Sequence, residues 1–136
     1  MSVTPFPLER ARPPARRLPD AQAFTEADRA VLAPVHYLIS DAEARACLVA
    51  TTAARAGVAR LLEEGRARLS SAGLSLGIAA AQALSAYDAA LRMILRSRPT
   101  DSDGTHAANE ARLQDAAETL ADVSAALFRV RHRAHQ

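Results

Sequence analysis

The chain has 136 residues, of which 17 are Arg, none is Lys and 33 are Ala, and its formal net charge is +2. This length fits one domain, and the chain is too apolar to be disordered throughout. A single Cys excludes an intramolecular disulfide or a Cys-based zinc site, and five Gly are too few for an all-β protein with many tight turns. Abundant Arg and Ala without Lys are typical of a GC-rich, bacterial genome.

Residues 1–23 are rich in Pro and Arg and precede the rest of the chain, residues 24–136. Pro lacks the N–H that helices and sheets use, so an extended arm is expected. The segment lacks the apolar core of a secretory signal, which favours a cytoplasmic protein. A solvated tail, a docking arm and a phosphate-binding arm are its three interpretations. Its basic residues are Arg10, Arg12, Arg16 and Arg17.

The first helix is predicted from about residue 25 to residue 39. Thr25 is expected as its N-cap, with Glu26 and Asp28 in the first turn, where negative charge favours the helix dipole. Pro34 lies inside this element and lacks an N–H, so we expect a kink or a restart there. His36 lies beside the apolar face and is predicted to be a partly buried structural residue.

A second, long helix is predicted over residues 41–69. Ser40 and Glu43 have the S-x-x-E spacing of a capping box, so the helix is expected to begin there. Cys47 falls on its apolar stripe, which predicts a buried and unreactive thiol. Gly57 and Gly65 either interrupt this helix or mark the close approach of a neighbouring helix.

The third helix is predicted over residues 75–97. Residues 69–87 hold 19 positions without a charge, but they are mostly Ala, Ser and Gly, so no membrane span is expected. A helix without a polar face is expected to be buried on all sides, which favours a central position or an oligomer interface. A ridge of small residues followed by Leu gives its predicted contact positions. These positions are Gly73, Gly77, Ala81, Leu84 and Leu91.

The last helix is predicted over residues 106–133, with Asp103 or Thr105 as its cap. Its apolar residues recur in steps of three and four, which is typical of helices that pack side by side. They are Leu113, Ala116, Leu120, Val123, Leu127 and Val130, and the three Leu are also predicted to contribute to an oligomer contact.

These elements predict an all-α protein, an antiparallel four-helix bundle with three long helices and a shorter, Pro-interrupted first helix. Much of the core would be Ala, which contributes little apolar area per side chain. We therefore expect self-association through the third or fourth helix to stabilise the domain.

No residues in the sequence have the spacing of a catalytic or metal site. His132 and His135 could share a helix face, but no third ligand is near them in sequence. Most acidic residues fall at predicted helix starts, and Asp88 is spaced to pair with Arg92. We therefore expect no cofactor, no metal and no enzymatic activity.

The sequence favours a non-enzymatic protein–protein interaction module, a small helical subunit, adaptor or chaperone-like protein within a larger assembly or homo-oligomer. The alternative is a small protein that binds nucleic acid through the Arg-rich arm and the end of the last helix, which carries Arg129, Arg131 and Arg133. Against that alternative, no aromatic residues are interleaved with the Arg residues for base stacking.

Overall fold

The fold is all-α in the computed structural model, which describes residues 23–100 and 102–132. Within these residues there are four α-helices and no strand. The helices are α1 (Glu26–Arg45), α2 (Leu48–Gly65), α3 (Ser71–Arg96) and α4 (Thr105–His132), and a 3₁₀ turn (Arg66–Arg68) follows α2. Apart from Ala23, the expected arm lies outside the described residues, and so do Arg10, Arg12, Arg16 and Arg17.

The start of α1 is fixed by a reciprocal capping box. The Thr25 hydroxyl accepts a hydrogen bond from the Asp28 backbone N–H at 3.0 Å, and the Asp28 carboxylate accepts one from the Thr25 backbone N–H at 2.9 Å. The prediction that Thr25 caps the first helix is therefore confirmed. The two side chains thus bind backbone N–H groups that have no partner within the helix. Because all of these groups lie within four adjacent residues, the sequence alone could predict where α1 begins.

The boundary between the first and second helices was predicted wrongly. Residues 40–43 do not begin a helix, because α1 continues through them to Arg45. The break comes at Ala46, which adopts the left-handed conformation with φ of 48° and returns its N–H to the Ala42 carbonyl. As a result α1 has 20 residues and α2 has 18, so the first helix is not the shortest.

Pro34 does not divide α1. It lies on the solvent side of the helix, as does Ala30, whose carbonyl would otherwise accept the missing hydrogen bond. Water can bond to a carbonyl on that side, so the helix tolerates the lost bond.

The two Gly of α2 lie against α1. A Cβ on Gly57 would come within 2.7 Å of Leu38 Cδ1, and one on Gly65 within 2.7 Å of Val31 Cγ1. Both distances are shorter than a normal carbon–carbon contact. The interpretation that these Gly mark a close approach is confirmed, and Gly65 also ends the helix.

The α3–α4 connection is held at both ends. The Ser97 hydroxyl pairs with Nδ1 of His106 at 2.7 Å, and the Asn109 side chain donates to the Met93 carbonyl at 3.3 Å. Gly104 has φ of 80°, a conformation that L side chains rarely adopt, and Asp103 accepts from the Thr105 N–H. Of the two predicted caps, Asp103 bonds to the first N–H of the helix, whereas Thr105 is itself the first residue of α4.

The core lies between the four helices. Both α2 and α4 pack against α1 and α3, and they hardly touch each other. The repeat predicted for the last helix is confirmed, since its last four members are buried and the first two are partly buried. The buried members are Leu120, Val123, Leu127 and Val130.

Candidate interaction surface

The residues predicted to form an oligomer contact lie largely inside the chain. Six of them are buried, and the other two are partly buried. The buried ones are Gly73, Gly77, Leu84, Leu91, Leu120 and Leu127, and the partly buried ones are Ala81 and Leu113. The burial of the first six is accounted for by contacts among the helices of one copy, so a surface for a partner has to be formed by residues other than those six.

The small ridge of α3 serves this internal packing. A Cβ on Gly73 would collide with the carboxylate of Asp28, and one on Gly77 would lie 2.6 Å from Leu62 Cδ2. Gly73 therefore brings α3 against the start of α1, and Gly77 brings it against the end of α2. The close packing expected of this ridge occurs within the chain.

Asp28 links the starts of two helices. In addition to the bonds with Thr25, its carboxylate accepts the backbone N–H of Ser70 at 2.8 Å and the Ser70 hydroxyl at 2.5 Å, and the same hydroxyl caps α3 at Gly73. Burial would raise the pKa of Asp28, but the hydrogen bonds from Ser70 and Thr25 outweigh it and lower that pKa. Asp28 is therefore a structural residue whose donors all come from the protein itself.

One side of α3 faces solvent although it carries little charge. Ile78 is 40% exposed and Met93 is 39% exposed, and Gln82, Ala86 and Ala89 lie between them on the same side. These five residues recur in steps of four, four, three and four, which is the spacing of a helix–helix seam. We call them the α3 face. The expectation that the third helix is covered on all sides is thus wrong for a single copy.

Shallow grooves border the α3 face on both sides. The groove toward α4 has a volume of about 390 Å³ and is lined by Ala86, Ala89 and Met93 together with Arg112 and Ala116, among others. The groove toward α2 has a volume of about 370 Å³ and is described below. Small side chains on both helices leave this space, which can receive the ridge of another helix.

A charged cluster lies at the edge of the second groove. Asp88 is 1% exposed, and its carboxylate accepts hydrogen bonds from Arg92 Nε at 2.7 Å and from Thr52 Oγ1 at 3.0 Å. Arg55 of α2 reaches the same carboxylate at 3.3 Å. Burial would raise the pKa of Asp88, but these hydrogen bonds and the two positive charges lower it. The predicted Asp88–Arg92 pair is confirmed, whereas the contributions of Arg55 and Thr52 were not foreseen.

An aromatic patch lies where α1 meets α4. Tyr37 is 58% exposed and Phe128 is 51% exposed, and the Arg131 guanidinium stacks 4.1 Å above the Tyr37 ring centroid and bonds to the Tyr37 hydroxyl. His36, beside them, was predicted to be partly buried and is buried. Arg131, one of the residues expected at a phosphate-binding end, is therefore engaged with Tyr37. Arg133 lies outside the described residues.

Cys47 is exposed rather than buried, which corrects the prediction of an inert core thiol. The error follows from the misplaced helix boundary, because Cys47 is the N-cap position of α2 and not a residue of its apolar stripe. Among the described residues, no group of three His, Cys, Asp or Glu side chains could hold a metal ion. His135 lies outside those residues.

Of the described helices, α3 alone is long and apolar enough to cross a membrane, judged by length and composition only. Within α3, 56% of an apolar stretch of 18 residues is buried inside the protein. A buried core helix passes the same test, so this is weak evidence of a membrane span. The chain has no match among protein-family models, curated proteins or solved structures. The α3 face, its grooves and the aromatic patch are thus the features on which a function can be argued.

Proposed function

We propose that the four helices form an antiparallel four-helix bundle preceded by the Pro- and Arg-rich arm. Short connections support this arrangement, since two residues separate α1 from α2 and eight separate α3 from α4. Short connections in helical proteins join antiparallel neighbours. The pairing of α2 and α4 with both α1 and α3 is the pairing expected of such a bundle.

We propose that the protein is a non-enzymatic protein–protein interaction module, an assembly subunit whose α3 face binds a second copy of the chain. The observation that carries the proposal is the exposed but uncharged surface of α3. The side of a surface helix that faces water usually carries charged residues. The exposed side of α3 from Ile78 to Ala89 carries no charged residue.

The energetics of covering the α3 face favour association. Ile78 and Met93 have apolar area left to bury, at about 25 cal/mol per Å². Ala86 and Ala89 lose almost no side-chain entropy on burial and let a second helix approach closely. The five residues of the α3 face carry no charge, so covering these residues does not desolvate a charged group of α3.

A cytoplasmic location is part of the proposal, because a single free thiol is compatible with a reducing compartment. The aromatic patch gives the assembly a second contact point, since Tyr and Arg are enriched among the residues that contribute most to interface affinity. Tyr37 and Arg131 are already held together there, which lowers the entropy lost when a partner binds.

Sedimentation equilibrium of three proteins tests the proposal. The wild-type chain is expected to exceed the 14.5 kDa of one copy at micromolar concentration. Ala86→Glu places a charge in the middle of the α3 face and is expected to give a monomer. Ala44→Glu adds the same charge at an exposed position of α1 and is expected to behave as wild type. A wild-type chain that stays monomeric throughout would contradict the proposal.

The effect of salt on binding, measured with the same proteins, distinguishes self-association from the alternative of nucleic-acid binding. Binding of an oligonucleotide through the Arg-rich ends would weaken steeply as salt rises, because it releases counterions from phosphate. Association through the uncharged α3 face alone would depend little on salt.

A further inference from the structure

Two stretches of opposite charge lie on the two helices that hardly contact each other. The middle of α2, residues 48–62, includes Arg55 and Arg60, although two Glu follow before the helix ends, and residues 113–128 of α4 include Asp115, Glu118 and Asp122, with an Arg on either side of that stretch. These two Arg and three acidic residues are exposed. Because α2 and α4 pack on the same two helices and hardly on each other, the basic and acidic surfaces lie on opposite sides of one copy.

The basic surface has an excess positive charge beside an apolar groove. Two guanidinium groups, those of Arg55 and Arg92, converge on the single carboxylate of Asp88, so the cluster keeps a net charge of about +1. Both groups are less than half exposed, at 44% and 43%. Arg55 also lines the groove between α2 and α3, whose remaining walls are small or apolar. They are Thr52, Ala56, Val58, Ala59, Ala81 and Ser85.

The acidic surface forms a ridge along α4. Asp115, Glu118 and Asp122 are spaced by three and four residues, which places them on one side of the helix. Within the described part of the chain, none of the three is in an ion pair. The exposed Ala111 and Ala125 flank them, so the ridge is narrow at both ends. We call these three residues the acidic ridge.

We propose that the acidic ridge of one copy docks into the α2–α3 groove of the next copy. An α-helical ridge fits a groove between two helices, and the small groove residues leave room for it. A carboxylate of the ridge completes the cluster around Asp88, which then holds two carboxylates and two guanidinium groups. This inference rests on the proposed self-association and specifies which surfaces meet.

The contact is directional. It uses the groove of one copy and the ridge of the other, and it leaves one groove and one ridge unoccupied on the resulting pair. Such a head-to-tail contact continues into a ring or an open chain, whereas a two-fold contact stops at a dimer. Association is therefore expected to proceed beyond the dimer as concentration rises, and to weaken as salt screens the charges.

Two complementary variants test the proposal. In R55Q the groove loses its excess positive charge but the acidic ridge is intact. In E118Q/D122N the ridge loses two of its three charges but the groove is intact. Each variant alone is expected to sediment as a monomer in low salt. An equimolar mixture is expected to give a species of twice the 14.5 kDa chain mass and nothing larger, because only one productive contact remains. Circular dichroism confirms that each variant is folded.

R66Q serves as the matched control, since it makes the same change of charge as R55Q in the 3₁₀ turn after α2 and is expected to associate as wild type. A mixture that stays monomeric while the wild-type chain associates would overturn the head-to-tail contact but leave self-association in place. If the wild-type chain never associates, both proposals fail. A wild-type chain that stops at a dimer at every concentration also overturns the head-to-tail contact.

Discussion

The two sides of α3 have similar compositions and opposite surroundings. On one side Leu84 is 0% exposed and Gly73 and Gly77 touch neighbouring helices, while on the other side Ile78 and Ala86 face solvent. Neither side carries a charge between residues 69 and 87. A charge-free helix therefore need not be enclosed by its own chain. The absence of charge on the inner side is explained by its burial in the core. On the outer side, we attribute the absence of charge to contact with a partner.

The largest expected difference between the two sides comes from the same substitution at neighbouring Ala residues. Ala83→Glu puts an unpaired charge at a position that is 4% exposed, which we expect to cost more than about 4 kcal/mol and to prevent stable folding. Ala86→Glu lies one turn away on the exposed side and is expected to change the free energy of unfolding by less than about 0.5 kcal/mol. Urea denaturation followed by circular dichroism measures both; equal losses would contradict the assignment of sides.

Truncation of large apolar residues gives the next largest contrast. Leu84→Ala removes a fully buried side chain and is expected to cost about 2–5 kcal/mol. Ile78→Ala removes a side chain that is 40% exposed, so we expect a loss below about 1.5 kcal/mol in the monomer. Both values come from the urea midpoint at a concentration low enough to avoid association. A loss at Ile78 as large as that at Leu84 would show that the outer side is covered within one chain.

Substitution by Ala at the two Gly of the inner side is expected to change the stability of the protein by different amounts. A methyl group at Gly73 meets the Asp28 carboxylate, which is held by Ser70 and Thr25 and cannot move aside, so Gly73→Ala should cost about 1–3 kcal/mol. At Gly77 the neighbour is the end of the Leu62 side chain, which can rotate, and Ala gains up to about 1 kcal/mol in helix propensity. Thermal denaturation should therefore rank Gly73→Ala well below Gly77→Ala.

Lowering the pH should gradually reduce the stability that the Asp28 carboxylate contributes through its hydrogen bonds to Ser70 and Thr25. The pKa of Asp28 in the folded chain lies below its ordinary value of 3.8, because hydrogen bonds from Ser70 and Thr25 outweigh the effect of burial. A carboxylate with a lowered pKa contributes stability above its unfolded pKa and loses it as the pH falls through the folded value. The urea midpoint should thus fall below about pH 4, and Asp28→Asn should flatten that dependence. An unchanged dependence in Asp28→Asn would contradict the role of this carboxylate, although Asp88 adds a similar contribution of its own.

Local signals in the sequence predicted the ends of several helices. Thr25 and Asp28 are three residues apart and cap each other, so their pattern identified the start of α1. The loop before α4, with Asp103 or Thr105 as the expected cap, predicted the start of that helix to within one residue. The break at Ala46 carries no such signal, because Ala rarely adopts the left-handed conformation and neither Gly nor Pro is adjacent. The capping-box spacing of Ser40 and Glu43 therefore led to a helix start seven residues too early.

Contacts between residues distant in the chain could not be predicted from the sequence. Ser70 donates to Asp28 across 42 positions, and Thr52 donates to Asp88 across 36. The pairing of Asp88 with Arg92 was predictable because both lie on one helix face, but the arrival of Arg55 depends on how α2 packs on α3. For the same reason, the uncharged run in α3 indicated burial without showing which side of the helix would remain exposed.

The central claim, that a second copy covers the α3 face, is tested most directly by the reactivity of one engineered thiol. Alkylation by iodoacetamide is followed for Ala86→Cys and Ala44→Cys, both in a Cys47→Ser background, over a range of protein concentrations. The account predicts that the thiol at position 86 becomes protected as concentration rises into the micromolar range, while the thiol at position 44 reacts at a constant rate. Equal and constant rates at the two positions would contradict it.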